Sequence, residues 1–407
     1  MRHPLVVLCL TLLLATGAAG APARAGEHAP PLSARFAPRP GDRVTLVRPG
    51  VVHLRRVTDD PWRINVLLLD LTNPAIDLGV GLGGGWLSGR HRTSALAAEH
   101  GALAAVNGDL FGDSGLPQGL TISDGRVATA PKRRATFAFG YDRRPFIGYF
   151  TEEWTWSAEV VAPGGTRHPL TLLNTPCPAG QLCLFTHLAR RVPARPGAIS
   201  LLLGHDGRVD AVLDAEATAV LTGTRVLQGT GPAARWLREQ LAPGDKPEVL
   251  VRTEPELSRF RQAISGGPII LRNGRFIEDC LCALRDCSQT TTPGASLVCE
   301  DFSTDWKLRH YQWVRMPRTG IGYDAAGQTL ILAVVDGYQP GYSRGMTQEE
   351  FAALLREFGA SEAMELDGGG SSTMVVSGRV VNRPPDESGE RYVANALLVY
   401  WREPPRD

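Results

Sequence analysis

The chain has 407 residues, of which 43% are apolar and 21% are charged. This is enough apolar material for one large or two ordinary globular domains. The 43 basic residues almost balance the 42 acidic ones, whereas a nucleic-acid-binding scaffold would carry a clear basic excess. The same balance argues against a disordered acidic chain. The composition therefore predicts a folded globular protein that has no nucleic-acid partner.

The first 25 residues have the pattern of a secretory signal. Arg2 and His3 precede an apolar run from Leu5 to Leu14, and Ala23-Arg24-Ala25 has the form of a cleavage site. The apolar run is about half the ~20 residues that a membrane span requires, which favours cleavage over an uncleaved anchor. We therefore predict an exported protein, secreted or held in the periplasm or cell wall, without stable membrane insertion. Residues 26–44 are expected to form a loose leader.

The cysteines predict disulfide bonds. Cleavage would remove Cys9 and leave six cysteines, an even count that suggests disulfides in an exported chain. Cys177 and Cys183 are close in sequence and are expected to pair. A zinc site is the alternative for the remaining cysteines, but their spacing is not one of the usual zinc spacings. These four, which are expected to form two further bonds, are Cys280, Cys282, Cys287 and Cys299.

Strand signals dominate the first part of the chain. Trp62–Leu69 predicts a strand, Thr93–Glu99 a short helix capped by Thr93 or Ser94, and Ala102–Val106 a buried strand. Residues 140–260 are less regular and predict a second lobe or an insertion. Four predicted hairpins have a glycine at the turn, where it permits the positive φ angles of a tight turn. Their turns are Ser123–Arg126, His205–Arg208, Arg272–Arg275 and Ser377–Arg379.

The segment after residue 329 has the clearest pattern. Leu330–Val335 is continuously apolar, which predicts a strand buried on both faces. A helix from Thr347 to Phe358 follows, with a capping box of Thr347 and Glu350 and with Gly359 at its C′ position. Ala363–Leu366 is the next strand.

Both of these strands end at an aspartate, Asp336 and Asp367, and the carboxyl ends of strands are where ligands bind in α/β sheets. The fold predicted is α/β (α+β). It has a mixed β-sheet rich in hairpins, a few packed helices, and ligand loops at the carboxyl ends of the strands.

Asp367 opens a glycine-rich loop that is the strongest candidate for chemistry. Gly368, Gly369 and Gly370 allow successive N–H groups to point into one concavity, which is an anion-binding nest. The hydroxyls of Ser371 and Ser372 could add donors. The loop lacks the Gly-Lys-Ser/Thr of a nucleotide-binding P-loop and the G-x-S-x-G of a serine hydrolase. A plain hairpin turn is the alternative, but it would need fewer glycines.

Three other loops carry candidate residues. Asp336 is followed by Ser343 and Arg344, although an Asx turn with a surface arginine would look the same. Ser265-Gly266-Gly267-Pro268 precedes the strand Ile269–Leu271 and has a β-bulge as its alternative. Asn107-Gly108-Asp109 follows an apolar strand and has a plain turn as its alternative. Together the loops predict a site compatible with an anion and a sugar.

Eight segments in order resemble the phosphodiester glycosidase family. The resemblance covers roughly residues 100–400, is densest after residue 260 and is weakest over residues 140–260. The segments are Asn107–Phe111, Ile264–Pro268, Arg318–Gly322, Val334–Gly337, Ser343–Thr347, Leu366–Met374, Val381–Pro384 and Gly389–Ala396.

The resemblance implies hydrolysis of a sugar-1-phosphodiester by a catalytic domain over residues 45–401. The bond broken would join the anomeric carbon to a phosphate oxygen, so the products would be a free sugar and a phosphomonoester. No cofactor or metal is expected. The natural substrate is expected to be a phosphodiester-linked polymer of a cell wall or capsule.

The resemblance also implies residue roles. The phosphate is assigned to Arg318, Arg344 and Arg391, because arginine suits bidentate phosphate contacts. The glycine backbones at Gly266-Gly267 and Gly368–Gly370 are expected to assist. Asp367 and Asp336 are the favoured bases or nucleophiles, and Glu365 is a weaker candidate. Sugar hydroxyls are assigned to Asn107 and Asp109. Further substrate-binding candidates are Ser265, Thr319, Ser343, Ser371, Ser372 and Asn395.

Two other functions stay open from the sequence. One is a non-catalytic protein that binds wall polymers or exopolysaccharides and retains the pocket. The other is a metal-dependent phosphodiesterase that cleaves the P–O bond, in which Asp109, Asp336 and Asp367 could hold a hard cation such as Ca²⁺.

Overall fold

The computed structural model describes residues 37–87, 89–151, 156–277 and 313–403. The signal sequence and the cysteines at 280, 282, 287 and 299 lie outside the described residues. Within these ranges the protein is rich in β-sheet and has few helices, as the sequence predicts. No helix in the described part of the chain is long and apolar enough to cross a membrane.

The strands are numbered in chain order. Those of the first half are β1 (Arg43–Arg48), β2 (Val51–Val57), β3 (Arg63–Asp70), β4 (Ile76–Gly81), β5 (His91–Arg92), β6 (Ala104–Asn107), β7 (Thr121–Ser123), β8 (Arg126–Thr129), β9 (Thr136–Gly140), β10 (Pro145–Gly148), β11 (Ser157–Val161), β12 (Arg167–Pro169), β13 (Leu172–Leu173), β14 (Leu182–Thr186) and β15 (Arg191–Val192).

Those of the second half are β16 (Ala198–Leu203), β17 (Val209–Asp214), β18 (Thr218–Ala219), β19 (Arg225–Thr230), β20 (Glu248–Arg252), β21 (Phe260–Ser265), β22 (Ile269–Arg272), β23 (Arg275–Phe276), β24 (Arg318–Tyr323), β25 (Thr329–Val335), β26 (Glu362–Glu365), β27 (Met374–Val376), β28 (Arg379–Val380), β29 (Tyr392–Val393) and β30 (Ala396–Trp401). The α-helices are α1 (Thr93–Glu99), α2 (Pro232–Gln240) and α3 (Gln348–Glu357).

An eight-stranded sheet in the order β1-β2-β3-β25-β24-β26-β22-β23 forms the centre of the molecule. Its neighbouring strands are all antiparallel. The apolar runs of β3 and β25 lie at its middle and are buried on both faces, which confirms the prediction made for Leu330–Val335. Side chains of one face, such as Val66 and Ile331, pack on Phe351 and Leu355 of α3.

The other face of this sheet packs against two five-stranded antiparallel sheets. Their orders are β28-β27-β6-β30-β4 and β10-β9-β21-β7-β8. Leu67 and Leu332 of the large sheet share one core with Val106, Leu397 and Phe137 of the smaller ones. The predicted glycine hairpins are confirmed between β7 and β8, β16 and β17, β22 and β23, and β27 and β28.

Strands β11 to β20 form sheets of their own. A three-stranded sheet has the order β12-β11-β20, and a five-stranded sheet has the order β13-β14-β19-β16-β17. Pairing of β13 with β14 is parallel, so this second sheet is mixed, whereas the sheets around the candidate site are antiparallel. The segment has its own apolar core, which includes Leu201, Leu227 and Leu237. The predicted Cys177–Cys183 disulfide is confirmed in the same segment.

The two predicted helices form where the sequence places them, but they are capped differently. At α3 the Thr347 side chain accepts from Glu350 N at 3.2 Å and Glu350 Oε2 accepts from Thr347 N at 2.9 Å, which confirms the capping box. Helix α3 is one residue shorter at each end than predicted, because Thr347 and Phe358 are its capping residues. The prediction that Thr93 or Ser94 caps α1 is wrong. Glu390 caps it instead, accepting from Ser94 N at 2.9 Å and from Ser94 Oγ at 2.5 Å. A carboxylate from a distant loop thus accepts the hydrogen bond that a local hydroxyl was expected to accept.

The antiparallel arrangement brings the candidate loops to one edge of the large sheet. Strands β25 and β26 are both antiparallel to β24, so they run in the same direction and end at the same edge. Asp336 directly follows β25, and Asp367 follows β26 by one residue. Arg318 begins β24 at this edge and pairs in register with Val335.

Removing the α3 cap provides a test of this local assignment. Thr347→Ala should lower the free energy of unfolding by about 1 kcal/mol, because the N–H of Glu350 loses its acceptor. Urea denaturation followed by circular dichroism measures the change. Thr222→Ala, at an exposed threonine, is the matched control and should stay within about 0.5 kcal/mol of wild type. Equal stability of the two variants would contradict the capping assignment.

Candidate active site

Asn107, at the end of β6, joins the segments that surround the site. Its Nδ2 donates to the Asp367 carbonyl at 2.6 Å, and its Oδ1 accepts from Thr319 Oγ1 at 2.8 Å and from Thr373 N at 3.0 Å. Asn107 and Thr319 are fully buried. Both predicted substrate-binding side chains therefore form a hydrogen-bonded support behind the glycine loop, with their oxygens directed at protein groups.

Asp109 lies next to this support and is fully buried. Its Oδ2 accepts from Gly119 N at 2.7 Å, and its backbone N–H donates to Asn395 Oδ1 at 2.8 Å. Its Oδ1 has no hydrogen-bond partner among the described residues and lies 3.7 Å from Arg134 Nη2. Burial raises the pKa of the Asp109 carboxyl, against the opposing effects of Arg134 and the Gly119 N–H.

Asp367 is half-buried at the start of the glycine loop, and its backbone N–H donates to Gly108 O at 2.8 Å. Desolvation raises the pKa of its carboxyl to about 7, and the nearby negative charge of Asp109 adds to the rise. The Ser371 hydroxyl and the Arg391 guanidinium act in the opposite direction. The sequence-predicted Asp367 and Asp109 are thus electrostatic neighbours whose ionisations oppose each other.

Arg391 lies directly against the glycine loop. A Cβ atom at position 370 would displace its guanidinium, so Gly370 permits this close approach. Arg391 is exposed, and its Nε donates to Asp386 Oδ2 at 3.0 Å. Of the three arginines that the sequence assigns to phosphate, Arg391 is the one whose charge lowers the pKa of Asp367.

The glycine loop carries buried hydroxyls that lack partners. The loop bends into a 3₁₀ turn over Gly369–Ser371, and the Gly369 N–H donates to Pro317 O at 2.9 Å. Within the described residues the oxygens of Ser371, Ser372 and Thr373 are buried without a hydrogen-bond partner. Ser371 is close enough to affect the pKa of Asp367, but its geometry is not that of a hydrogen bond. Buried polar atoms of this kind normally have partners, so their concentration here indicates a ligand site.

Asp336 is anchored by several donors. Its Oδ1 accepts from Asn382 Nδ2 at 2.9 Å and from Arg383 N at 3.0 Å, and its Oδ2 accepts from Tyr342 Oη at 3.3 Å. Burial nevertheless raises the pKa of the carboxyl to about 6. Ser343 Oγ donates to the Asp336 carbonyl at 2.6 Å and is fully buried. These contacts fix the loop that follows β25.

Arg318 and Glu365 are paired with each other beneath the loops. Arg318 Nη1 lies 3.0 Å from Glu365 Oε1, and Gln348 Nε2 donates to Glu365 Oε2 at 2.8 Å. The rest of the guanidinium donates to the Met346 and Val314 carbonyls at 2.9 and 3.0 Å. Arg318 has 3% of its surface exposed, so the arginine predicted for phosphate is committed to neighbouring protein groups.

Arg344 and the Ser265–Gly267 segment are the remaining predicted residues. Arg344 pairs with Asp60 and lies 5.9 Å from the centre of the Trp62 ring; Asp60 and Trp62 are on the turn between β2 and β3. Ser265 is fully buried, with its Oγ 2.7 Å from Thr136 Oγ1. The N–H groups of Gly266 and Gly267 donate to Ala135 O and Glu365 O at 3.0 and 2.8 Å. These two N–H groups, predicted to assist phosphate binding, therefore bond to the protein backbone instead.

Sequence reasoning missed Arg134. This buried arginine donates from Nη2 to Gly266 O at 2.9 Å and from Nη1 to Gln118 Oε1 at 2.6 Å, beside Asp109. It is the last residue of a basic run, Lys132–Arg134, but one arginine among 40 gives no local signal of burial. In the described part of the chain, no three His, Cys, Asp or Glu side chains are grouped so that they could hold a metal ion.

Comparisons with known proteins confirm the family resemblance. Residues 205–400, which include Asp336, the glycine loop and Arg391, match the family model described as phosphodiester glycosidase. The N-acetylglucosamine-1-phosphodiester alpha-N-acetylglucosaminidase of Mus musculus is 34% identical over 139 residues, which are 34% of this chain. The matched region spans 23% of the length of that relative.

Two solved structures show that the fold is shared. A hypothetical protein from Synechocystis has a TM-score of 0.70 at 19% identity, covering 89% of this chain and 64% of that chain. A protein from Burkholderia pseudomallei K96243 has a TM-score of 0.65 at 24% identity, covering 84% of this chain and 74% of that chain.

The buried Arg318–Glu365 pair can be tested by comparing single and double replacements. Arg318→Met alone should lower the free energy of unfolding by about 3–5 kcal/mol, because it leaves the Glu365 carboxylate buried without its partner. Arg318→Met combined with Glu365→Leu should recover most of that loss. Chemical denaturation measures both changes. A double variant as unstable as the single one would show that Arg318 stabilises the protein through other contacts.

Proposed function

We propose that this chain is an exported hydrolase that cleaves the glycosidic bond of sugar-1-phosphodiesters, releasing a free sugar and a phosphomonoester. The family match over residues 205–400 supports the reaction class. The observation that carries the proposal is the position of Asp367. Its backbone N–H bonds to Gly108 O next to Asp109, and it lies near Arg391 and buried hydroxyls that have no partner among the described residues. The guanidinium and the hydroxyls can bind an anion, and the carboxylates can act on the bond that joins this anion to a sugar.

We assign the phosphate to Arg391 and to the hydroxyl of Ser371. Arg391 is accessible and lies against Gly370, so a phosphate seated over the glycine loop can take bidentate contacts from it. The Ser371 hydroxyl has no partner among the described residues and can donate to a phosphate oxygen. The hydroxyls of Ser372 and Thr373 are assigned to ligand oxygens in the same place. Holding the phosphate charge makes the group a better leaving group.

The reaction proposed is an attack of water on the anomeric carbon. The water oxygen forms the new bond to carbon while the bond from carbon to the phosphate oxygen breaks, and both electrons of that bond leave with the phosphate. Asp367 takes a proton from the water, since a carboxylate with a pKa of about 7 is well matched to general base catalysis near neutral pH. The products are the sugar hemiacetal and a phosphomonoester.

Asp109 is assigned to the positive charge that develops at the sugar. In the transition state the anomeric centre resembles an oxocarbenium ion, which a buried carboxylate stabilises. The Asp109 Oδ1 atom has no hydrogen-bond partner among the described residues, whereas its Oδ2 is held by Gly119 N. Burial raises the pKa of Asp109, and Arg134, at 3.7 Å, acts in the opposite direction and favours the ionised form that this role requires.

The other predicted residues are assigned to support of the site. Both oxygens of the Asp336 carboxylate already accept hydrogen bonds, and Arg318 and Glu365 neutralise each other. We therefore remove Asp336 and Glu365 from the catalytic role, and Arg318 and Arg344 from the phosphate. The positioning residues are then Asn107, Ser265, Gly266, Gly267, Arg318, Thr319, Asp336, Ser343, Glu365 and Asn395.

Export and substrate are part of the same proposal. The signal pattern of residues 1–25 and the Cys177–Cys183 disulfide both suit an oxidising compartment outside the cytoplasm. Phosphodiester-linked polymers of a wall or capsule are the sugar phosphodiesters that an exported enzyme would meet there.

Replacing Asp367 tests the catalytic assignment. With a UDP-sugar or an alkyl sugar-1-phosphodiester as substrate, Asp367→Asn should lower kcat by about 10²–10⁴-fold while leaving KM within a few-fold of wild type, because the amide cannot accept the proton. Product identification by mass spectrometry, with and without EDTA, gives the measurement. Asp59→Asn, at an exposed aspartate, is the control.

Three other outcomes of this experiment would contradict the proposed function. Full turnover by Asp367→Asn would remove Asp367 from catalysis. Release of a sugar phosphate only without EDTA would instead indicate a metal-dependent phosphodiesterase. Saturable binding of the substrate by the wild-type protein, with no product, would indicate a non-catalytic binding protein.

The pH dependence follows from the raised pKa of Asp367. A general base must be ionised, so kcat/KM should rise with pH and level off above about 7.

Because the folded-state pKa exceeds the ordinary value of 3.8, the protonated carboxyl stabilises the fold at low pH and this contribution is lost as pH rises through 7. Asp367→Asn should therefore gain stability relative to wild type between pH 5 and pH 8. A falling activity profile would make Asp367 the acid instead.

A further inference from the structure

A cavity that is separate from the candidate active site opens beside the β7–β8 hairpin. It has a volume of about 380 Å³, within the range of small-molecule pockets. We call it the lobe pocket, because sheets of the segment from β11 to β20 form most of its wall. Its principal apolar lining residues are Val127, Trp156, Leu173, Leu184, Val251 and Leu257.

The floor of the lobe pocket is apolar because of strand alternation. Leu173 and Leu184 are paired in register on β13 and β14, so their side chains lie together on one face. The neighbouring residues Cys183 and Phe185 belong to a separate core that includes the disulfide. Trp156 donates its indole N–H to Thr171 O at 3.1 Å, so the polar atom of this ring is already satisfied and its remaining surface is apolar.

Three nitrogen-bearing side chains complete the lining. Arg225 pairs in register with Thr186 at the end of β14, and Arg126, which begins β8, also lines the pocket. No carboxylate within the described residues forms an ion pair with either guanidinium. His187 Nε2 is buried and has no hydrogen-bond partner in the described part of the chain. Burial and the charge of Arg126 lower the pKa of His187 and so favour its neutral ring, in which Nε2 can carry a proton to donate.

We propose that the lobe pocket binds a small amphiphilic anion. An alkyl chain would occupy the apolar floor, and a carboxylate or phosphate head would contact Arg126, Arg225 and His187. Burial of the ligand's alkyl chain contributes about 25 cal/mol of favourable binding free energy for each Å² of apolar surface removed from water. The two guanidiniums select for negative charge, because charge-assisted hydrogen bonds to an oxyanion are the strongest that they can make.

Isothermal titration calorimetry with the full chain tests the proposal. The probes are decanoate, decyl phosphate and decyltrimethylammonium, each below its micelle concentration. At least one anion should bind with one-to-one stoichiometry and at least about tenfold more tightly than the cation of equal chain length. The ratio between the two anions identifies the preferred head group. Equal affinity for anions and cation, or no binding of either anion, would overturn the proposal.

Matched variants locate the site. Val251 lines the lobe pocket and Val212, on β17, does not, although each is 40% exposed. Val251→Trp should weaken anion binding by at least about tenfold, whereas Val212→Trp should leave it unchanged.

Arginine variants test the contacts to the ligand's head group independently of those to its alkyl chain. Arg126→Gln with Arg225→Gln should remove the preference for anions over the cation, and Arg235→Gln on α2 is the control. Circular dichroism confirms that each variant is folded. Anion binding that survives both Val251→Trp and the double arginine replacement would place the ligand elsewhere and contradict the proposal.

Discussion

The amide of Asn107 is the contact on which the candidate site depends. Its one donor and two acceptor contacts join Asp367, Thr319 and Thr373, which lie on segments of two different sheets. An aspartate could not replace it, because a carboxylate would face the Asp367 carbonyl without a proton to donate. This side chain therefore fixes where the glycine loop begins and ends, and so where the carboxylate of Asp367 lies relative to Asp109.

The ionisable side chains around the glycine loop differ in how their charges are compensated. Arg318 and Glu365 are fully buried but paired, so their charges cancel within the protein. Asp336 receives several hydrogen bonds, which hold it as part of the framework. Burial raises the pKa of Asp367 to about 7, and the nearby carboxylate of Asp109 adds to the rise. Buried polar groups with incomplete partners cost stability, and such groups concentrate at functional sites.

The predictions from sequence succeeded where the signal was local. The capping box of Thr347 and Glu350, the glycine hairpins and the Cys177–Cys183 pair each depend on residues a few positions apart. The convergence of Asp336 and Asp367 also followed from their places at strand ends. The family was recognisable because short motifs recur in a fixed order.

The prediction of the α1 cap failed and the partner of Arg318 was not foreseen, because in both cases the partner is distant in sequence. Glu390 caps a helix that lies 296 positions away, and Arg318 is neutralised by Glu365 across 47 positions. A sequence shows that an arginine is present but not which carboxylate neutralises it. For the same reason Arg318 and Arg391 looked equivalent as phosphate ligands, although one is buried in an ion pair and the other is accessible beside Gly370.

Hydrolysis of a sugar-1-phosphodiester in H₂¹⁸O tests the central claim most directly, because the label reports which bond water breaks. If water attacks the anomeric carbon, the phosphomonoester keeps its original oxygens and mass spectrometry finds no ¹⁸O in it. The account predicts this result, with the label entering the sugar. Incorporation of one ¹⁸O into the phosphate group of the product would show attack at phosphorus and would contradict the assignment of a glycosidase reaction to the Asp109–Asp367 site.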